Sequence, residues 1–113
     1  AQGLRNDGVN IAAPAGAPVR AAQAGVVAYA GDGLEAFGRL ILIRHAGGWV
    51  SAYAHNAALL VHRGQRVRRG QIIARVGASG FVDRPQLHFE LRRGKTPVDP
   101  LRHLPRLTAD AAP

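Results

Sequence analysis

The sequence of 113 residues contains no cysteine. Disulfide bonds and thiolate metal ligands are therefore excluded, although this absence does not identify a cellular compartment. No apolar run approaches the ~20 residues that span a bilayer, so we expect no transmembrane segment in this chain. We also recognise no signal peptide, and the chain begins without an initiator methionine. These features lead us to expect a processed or excised domain of a longer protein.

Aromatic residues make up only 5% of the sequence, whereas hydrophobic residues make up 47%. A folded core must therefore consist mainly of valine, isoleucine, leucine and alanine. The length suffices for one domain with one core. We expect a single domain over residues 1–113, with its core over about 6–105 and a frayed tail over about 107–113.

Acidic residues are also scarce, with seven against fifteen lysines and arginines, for a formal charge of +8. Residues 57–113 hold eleven basic and four acidic residues, which leaves +7 of that charge in the second half. Such a surface attracts acidic partners, although a merely solvated arginine-rich face remains an alternative. Nucleic acid is not expected, because no aromatic-rich stacking surface accompanies the charge. The arginines expected to steer a partner are Arg63, Arg66, Arg68, Arg69, Arg92 and Arg93.

Hydrophobic residues alternate with a period of two over most of the chain, and no helical pattern is evident. We predict strands over residues 18–22, 25–31, 39–45, 49–55, 71–77 and 86–92. Gly47 and Gly48 predict a tight hairpin turn between the third and fourth of them. Residues 57–61 are compatible with a strand or with a helical turn. The pattern favours an all-β fold, a single mostly antiparallel β-sheet domain.

Along residues 86–92, alternation separates an apolar face from a polar face. The polar face carries Gln86, His88 and Glu90. Residues 49–55 place Tyr53 and His55 on a shared face, so that these two side chains can join Gln86 and His88 on one side of the sheet. The side chains expected in the core are Leu40, Leu42, Val50, Ile72, Leu87, Phe89 and Leu91. His45, His62 and His103 match no site and are expected at the surface or in turns.

Several ordered blocks in the sequence resemble the lysostaphin/LytM-type zinc endopeptidase domain over about residues 6–105. The blocks are 6-NDGVNIAAP-14, 16-GAPVRAA-22, 53-YAH-55, 64-GQRVRRGQI-72, 77-GASG-80, 86-QLHFE-90 and 97-PVDP-100. This many blocks in order are more specific than any single motif. The resemblance implies a β fold with a groove at the former active site.

In active members of that family the first block is His-x-Gly-x-Asp and the last is His-x-His. The resemblance therefore assigns zinc-ligand positions to Asn6, Asn10 and His88, of which only His88 retains a ligand residue. A neutral amide is a much poorer zinc ligand than a carboxylate. Gln86 stands at a catalytic histidine position, where it cannot shuttle a proton near neutral pH. We accordingly expect no catalytic residue, metal or cofactor, and a groove lined by Asn6, Asn10, Tyr53, His55, Gln86 and His88.

The amide-bearing blocks resemble those of the EnvC, NlpD and DipM group of cell-wall hydrolase activators. The resemblance implies a periplasmic factor in cell division that activates N-acetylmuramoyl-L-alanine amidases or related hydrolases. Two alternatives are a plain peptidoglycan-binding module and an active zinc endopeptidase. A further alternative for His55 and His88 is a purely structural role, hydrogen-bonded to each other, to Gln86 or to the backbone.

Overall fold

The computed structural model of this protein describes residues 8–94 and 96–99. Asn6, His103 and the expected tail over residues 107–113 lie outside the described residues. The strands are β1 (Gly8–Ala12), β2 (Pro18–Arg20), β3 (Gly25–Gly31), β4 (Arg39–Arg44), β5 (Trp49–Leu59), β6 (Arg66–Val67), β7 (Ile72–Val76), β8 (Gln86–Arg93) and β9 (Thr96–Val98). Short 3-10 turns cover Glu35–Phe37 and Ala46–Gly48. The all-β prediction is confirmed. Within the described part of the chain, no helix is long and apolar enough to cross a membrane.

The described strands form one sheet with the main order β1-β8-β5-β4-β3-β6. β7 pairs with β5 and β2, and β9 pairs with β8. Every pairing is antiparallel, which confirms the predicted sheet type. The order places β1 and β6 at opposite ends of the main strand sequence, and this separation determines which side chains can act together.

The predicted hairpin joins β4 to β5. Gly47 and Gly48 adopt φ angles of 78° and 81°, a region that residues with a Cβ rarely enter. The backbone N–H of His45 donates to the carbonyl of Trp49 at 2.8 Å and closes the turn. β5 continues to Leu59, so residues 57–59 belong to a strand rather than to a helical turn.

Both faces of β4 are buried because β4 lies in the middle of the sheet. Ile41 and Ile43 belong to the main core cluster, whereas Leu40 packs with Ala52 and Ala54 in a second cluster on the other face. Among the predicted core residues, Leu40, Phe89 and Leu91 are buried. The other four are only half-buried, namely Leu42, Val50, Ile72 and Leu87. A nearly continuous apolar run does not reveal by alternation which face is the inner one.

A buried hydrogen-bond chain joins the hairpin to the segment before β3. His45 Nδ1 donates to the carbonyl of Ala24 at 2.8 Å, so its Nε2 accepts from the Ser51 hydroxyl at 2.7 Å. Ser51 Oγ in turn accepts from the Tyr53 hydroxyl, and the Tyr53 oxygen accepts from the N–H of Ala22. His45 lies next to the Ala46–Gly48 turn, which agrees with the expected turn position, but the alternative of a surface position is wrong because its ring is buried within this chain. Exposed His62 agrees with its expected position in a turn.

Burial has opposite effects on the two titratable groups in this chain. It lowers the pKa of His45, and it raises the pKa of Tyr53 to about 12. Both effects favour the neutral side chains that the hydrogen-bond directions require.

Candidate functional site

Strand pairing between β1 and β8 places Asn10 directly opposite His88. The Nδ1 atom of His88 lies 2.6 Å from Asn10 Oδ1, and its Nε2 donates to Glu90 Oε2 at 2.8 Å. Each ring nitrogen therefore has an oxygen partner. The predicted proximity of Asn10 to His88 is confirmed by this geometry.

Glu90 is a member of the site that the expected groove residues omitted. Its second oxygen, Oε1, accepts a hydrogen bond from Arg92 Nη2 at 3.0 Å. The hydrogen bond from His88 lowers the pKa of Glu90 more than burial raises it, and Arg92 lowers it further. The available signal was the i, i+2 spacing of His88 and Glu90, which places both side chains on one face of a strand.

His55 joins the site through an exception to strand alternation. Its φ angle is 69°, an uncommon value for a residue with a side chain. The ring centroid of His55 lies 6.1 Å from that of His88, and His55 Nδ1 donates to the carbonyl of Ser79 at 2.8 Å. Burial lowers the pKa of His55, since it disfavours the charged ring.

Tyr53 does not line the groove, contrary to our expectation. Its register partner is Phe89, a core residue, whereas Ala54 stands opposite His88. The Tyr53 ring packs against Phe89 with a centroid distance of 5.4 Å, and 1% of the residue is exposed. The prediction failed because regular alternation would keep Tyr53 and His55 together, and the left-handed conformation at His55 separates them.

Gln86 is half-buried at the start of β8, on the face that alternation shares with His88. Its Nε2 donates to the carbonyl of Arg84 at 3.2 Å. The hydrogen bonds expected between the two histidines, or between them and Gln86, are not the ones observed among the described residues. His88 bonds Asn10 and Glu90, and His55 bonds Ser79. For His55, the expectation of a backbone partner is confirmed.

Hydrogen bonds join two loops beside the histidines. Ser79 Oγ accepts from the N–H of Arg39 at 3.0 Å and donates to the carbonyl of Asn56 at 2.6 Å. The N–H of Phe81 donates to the carbonyl of Ala36, and a Cβ at Gly80 would lie 2.6 Å from that same oxygen. These bonds hold the rim of the site in one conformation.

The rim is apolar. Phe37 lies 6.3 Å from His88 between ring centroids. Phe81 is 70% exposed even though its backbone is hydrogen-bonded to the neighbouring loop. An ordered, exposed aromatic side chain is well suited to enter a pocket on a partner.

The observed side chains do not fit a catalytic zinc ion. Asn10 supplies a neutral amide, and both nitrogens of His88 are engaged by Asn10 and Glu90. Within residues 8–94 and 96–99, no group of three or more histidine, aspartate or glutamate side chains is arranged to hold a metal ion. The side chains of this arrangement can offer hydrogen bonds and packing contacts to a bound segment.

The six predicted steering arginines lie in two groups at different positions along the sheet. Arg92 bonds Glu90, and the Arg93 guanidinium lies 5.2 Å from the centre of the Trp49 ring. Exposed Arg63 precedes β6, and Arg66, Arg68 and Arg69 lie on or just after it. Because β6 and β8 are four strand steps apart in the sheet, these two groups are separated by roughly 19 Å at about 4.8 Å per step.

Comparison with known proteins identifies relatives in bacterial cell-wall biology. The model of peptidase family M23 matches residues 4–100. The chain is 53% identical over 104 residues to a lipoprotein NlpD/LppB homolog of Pseudomonas aeruginosa, covering 92% of this chain and 35% of that protein. It is 49% identical to the cell division protein DipM of Caulobacter vibrioides, covering 92% of this chain and 18% of that one.

A third relative is the murein hydrolase activator NlpD of Escherichia coli, 44% identical and covering 89% of this chain and 26% of that protein. The chain thus spans about a third or less of these curated relatives. Among solved structures, lysostaphin of Staphylococcus simulans superposes with a TM-score of 0.84 at 28% identity, covering 95% of this chain and 47% of that one. A zinc-containing peptidase of Vibrio cholerae gives 0.78 at 38% identity, covering 82% and 28%.

Proposed function

We propose that this chain, which belongs to peptidase family M23, regulates the hydrolysis of peptidoglycan without hydrolysing it. The observation that carries the proposal is the environment of His88, whose two nitrogens are occupied by an amide and a carboxylate. Such a site keeps the shape of a peptidase groove and lacks its metal chemistry. The domain is a pseudoenzyme in which the groove binds a partner.

The partner is an N-acetylmuramoyl-L-alanine amidase or a related wall hydrolase. Support comes from the relatives, since one is named a murein hydrolase activator and another a cell division protein. Their lipoprotein members support a place in the cell envelope, and we assign this domain to the periplasm. The groove residues that receive the partner are Asn6, Asn10, His55, Gln86 and His88.

Activation proceeds by a shift between two states of the hydrolase. A hydrolase that is closed by its own segment opens when this domain binds the open form more tightly, and the shift cannot exceed that difference in affinity. Preorganisation of the groove keeps the entropic cost of binding low. The hydrogen bonds from Ser79 and Phe81 supply that preorganisation at the rim.

The proposal is tested by release of soluble fragments from dye-labelled sacculi by the domain alone, by an amidase alone and by the two together. We expect no release by the domain and a faster rate for the mixture than for the amidase. Chelator-sensitive release by the domain alone would establish an endopeptidase instead. Sedimentation with sacculi without any activation would establish a plain peptidoglycan-binding module.

A groove variant locates the activity on the molecule. Gln86→Glu adds one negative charge beside the histidines, whereas Ala15→Glu adds the same charge in the exposed turn before β2. We expect Gln86→Glu to lower activation of the amidase without unfolding the domain, and Ala15→Glu to leave activation unchanged. Equal activation by both variants would move the binding surface away from the groove.

A further inference from the structure

A second concave surface lies at the β6 end of the sheet, opposite the end that carries β1. It is an open groove of about 1160 Å³. Its lining includes small residues such as Gly25 and Ala46 and the arginines Arg44, Arg66, Arg68 and Arg69. We call this surface the basic groove. It shares no lining residue with the histidine site.

The sheet register sets the spacing of two of these arginines. Val26 pairs with Arg44 on one side and with Arg66 on the other. Directly paired residues point to the same face of a sheet. The side chains of Arg44 and Arg66 therefore leave the sheet on the same face, one on each side of Val26. Their Cα atoms are two strand steps apart, or roughly 10 Å.

The turn that carries the other two arginines is also hydrogen-bonded. The N–H of Arg68 donates to Gln71 Oε1 at 3.0 Å, and the N–H of Gly70 donates to the carbonyl of Ala21 at 2.8 Å. Arg20 reaches the carbonyl of Gly70 from the side. Hydrogen bonds therefore hold the backbone that carries these four arginines before any ligand binds.

No acidic residue of the described part of the chain lines the basic groove. Among the described residues, Arg44, Arg66 and Arg68 have no carboxylate partner, in contrast to Arg84 and Arg92. Neighbouring like charges repel each other, and a ligand with several negative groups relieves that repulsion. Guanidinium groups bind carboxylates through paired hydrogen bonds, which makes a carboxylate-rich ligand the best match.

The shape and lining of the basic groove further restrict the class of ligand that can bind there. Within residues 8–94 and 96–99 no aromatic side chain lines it, so neither bases nor sugar rings find a flat face for stacking. A concave surface also fits a chain better than it fits a flat bilayer. A flexible peptide segment can bring its acidic side chains to Arg44 and Arg66 and to the turn with Arg68 and Arg69 at the same time.

We propose that the basic groove binds an acidic segment of the partner hydrolase, rich in aspartate or glutamate. The proposal deepens the activator function above and rests on it for the identity of the partner. The histidine site and the basic groove then make two separate contacts with one partner. Two linked contacts bind more tightly than either alone.

The first experiment measures the groove without any hydrolase. A fluorescein-labelled decaglutamate peptide is titrated with the domain, and its anisotropy is followed at low and high salt. We expect binding to wild type and a loss of about tenfold in Arg44→Gln/Arg66→Gln, since two charge-assisted contacts are removed. The matched control is Arg39→Gln/Arg84→Gln, which removes the same charge outside the groove and should change the affinity much less.

The second experiment measures activation of the hydrolase on sacculi as a function of domain concentration. Arg44→Gln/Arg66→Gln should raise the concentration for half-maximal activation by about tenfold and leave the maximal rate unchanged. Free decaglutamate should compete with the hydrolase for wild type. Circular dichroism verifies that the variant is folded.

Several results would overturn the proposal. Equal loss of peptide affinity in both double variants would assign the attraction to the net charge of the whole domain. An unchanged activation curve for the groove variant would exclude the hydrolase as its ligand. Loss of binding to sacculi in the groove variant, with activation intact, would identify peptidoglycan as the ligand. If wild type activates no hydrolase but binds decaglutamate, the activator function fails, and with it the assigned partner.

Discussion

At the scale of single residues, Glu90 is the side chain that holds the ring of His88 in place. The two residues are separated by one position on β8 and share its polar face. Glu90 accepts from His88 with one oxygen and from Arg92 with the other. A buried carboxylate with two cationic or N–H donors is stabilised in its charged form.

Glu90→Gln tests this stabilisation through pH. The pKa of Glu90 is lowered in the folded protein, chiefly by the hydrogen bond from His88. Its charge therefore contributes stability above the unfolded pKa, near 4.3, and that contribution is lost as pH falls through the lower folded value. Urea unfolding should show Glu90→Gln less stable than wild type by about 1–3 kcal/mol at pH 7. The difference should shrink below pH ~4.5.

The control for that measurement is Asp83→Asn. Asp83 forms an exposed ion pair with Arg84 at 3.5 Å, and such pairs contribute little. It should lose less than about 1 kcal/mol at neutral pH. A Glu90→Gln variant as stable as Asp83→Asn would show that the buried network does not hold the site.

Restoring zinc-ligand residues tests the assignment of Asn6 and Asn10 to ligand positions. Asn6→His/Asn10→Asp introduces an imidazole and a carboxylate, the ligand types that zinc prefers, at the two positions that the family resemblance assigns to ligands. Calorimetric titration should show about one bound zinc per molecule in this variant, and elemental analysis should find no stoichiometric zinc in dialysed wild type. Asn6→His alone is the control, since it lacks the anionic ligand. One tightly held zinc in wild type would contradict the pseudoenzyme assignment.

At the scale of elements, two sets of hydrogen bonds outside the site support it. One set joins the two loops at Ser79 and Phe81, and the other is the buried chain from His45 to Ala22 behind the hairpin. The loops shape the rim of the groove. The buried chain fixes how the β4–β5 hairpin sits against the segment before β3.

Phe81→Ala tests the rim. Phe81 is 70% exposed, so its removal should change the free energy of unfolding by less than about 0.5 kcal/mol. A central aromatic contact in an interface contributes about 2 kcal/mol or more, so activation of the amidase should require roughly thirtyfold more domain. Leu60→Ala, another exposed apolar residue, should leave activation unchanged. Identical activation curves for the two variants would exclude Phe81 as an anchor.

Ser51→Ala tests the buried chain. It leaves the Tyr53 hydroxyl and His45 Nε2 without their shared partner, in a place that is closed to solvent. An unsatisfied buried polar group costs about 1–3 kcal/mol, which urea unfolding at pH 7.5 should detect. The variant should still activate the hydrolase when folded, because the chain does not touch the groove. A variant as stable as wild type would show that the chain contributes nothing to folding.

At the scale of the whole molecule, the arginines near β8 and the arginines of the basic groove have different partners. Arg92 and Arg93 serve the structure around β8, through Glu90 and Trp49. Arg66 and Arg68 line the basic groove, where they have no carboxylate partner among the described residues. Equal charges in the sequence therefore have different roles in the fold.

Two charge-reversal variants separate these roles. Arg92→Glu/Arg93→Glu places negative charge beside buried Glu90 and removes the contact with Trp49, so it should destabilise the domain by about 2 kcal/mol. Arg66→Glu/Arg68→Glu should change stability by less than about 0.5 kcal/mol, slow association with an acidic partner, and show a smaller defect as salt screens the charges. Thermal unfolding and stopped-flow binding measure the two effects. Equal destabilisation by both variants would contradict the separate structural and binding roles of the two arginine pairs.

The sequence by itself predicted six of the nine described strands and the hairpin at Gly47 and Gly48, because alternation and glycine conformations are local properties. The proximity of Asn10 to His88 was implied by the family resemblance and not by any local pattern. The tertiary structure alone decided three other features. Burial of both faces of β4 selected Ile41 and Ile43 for the main core, and the positive φ of His55 turned it away from Tyr53. The order of strands separated Arg66 from Arg92. Each of these depends on which strands become neighbours, and residues distant in the chain decide that.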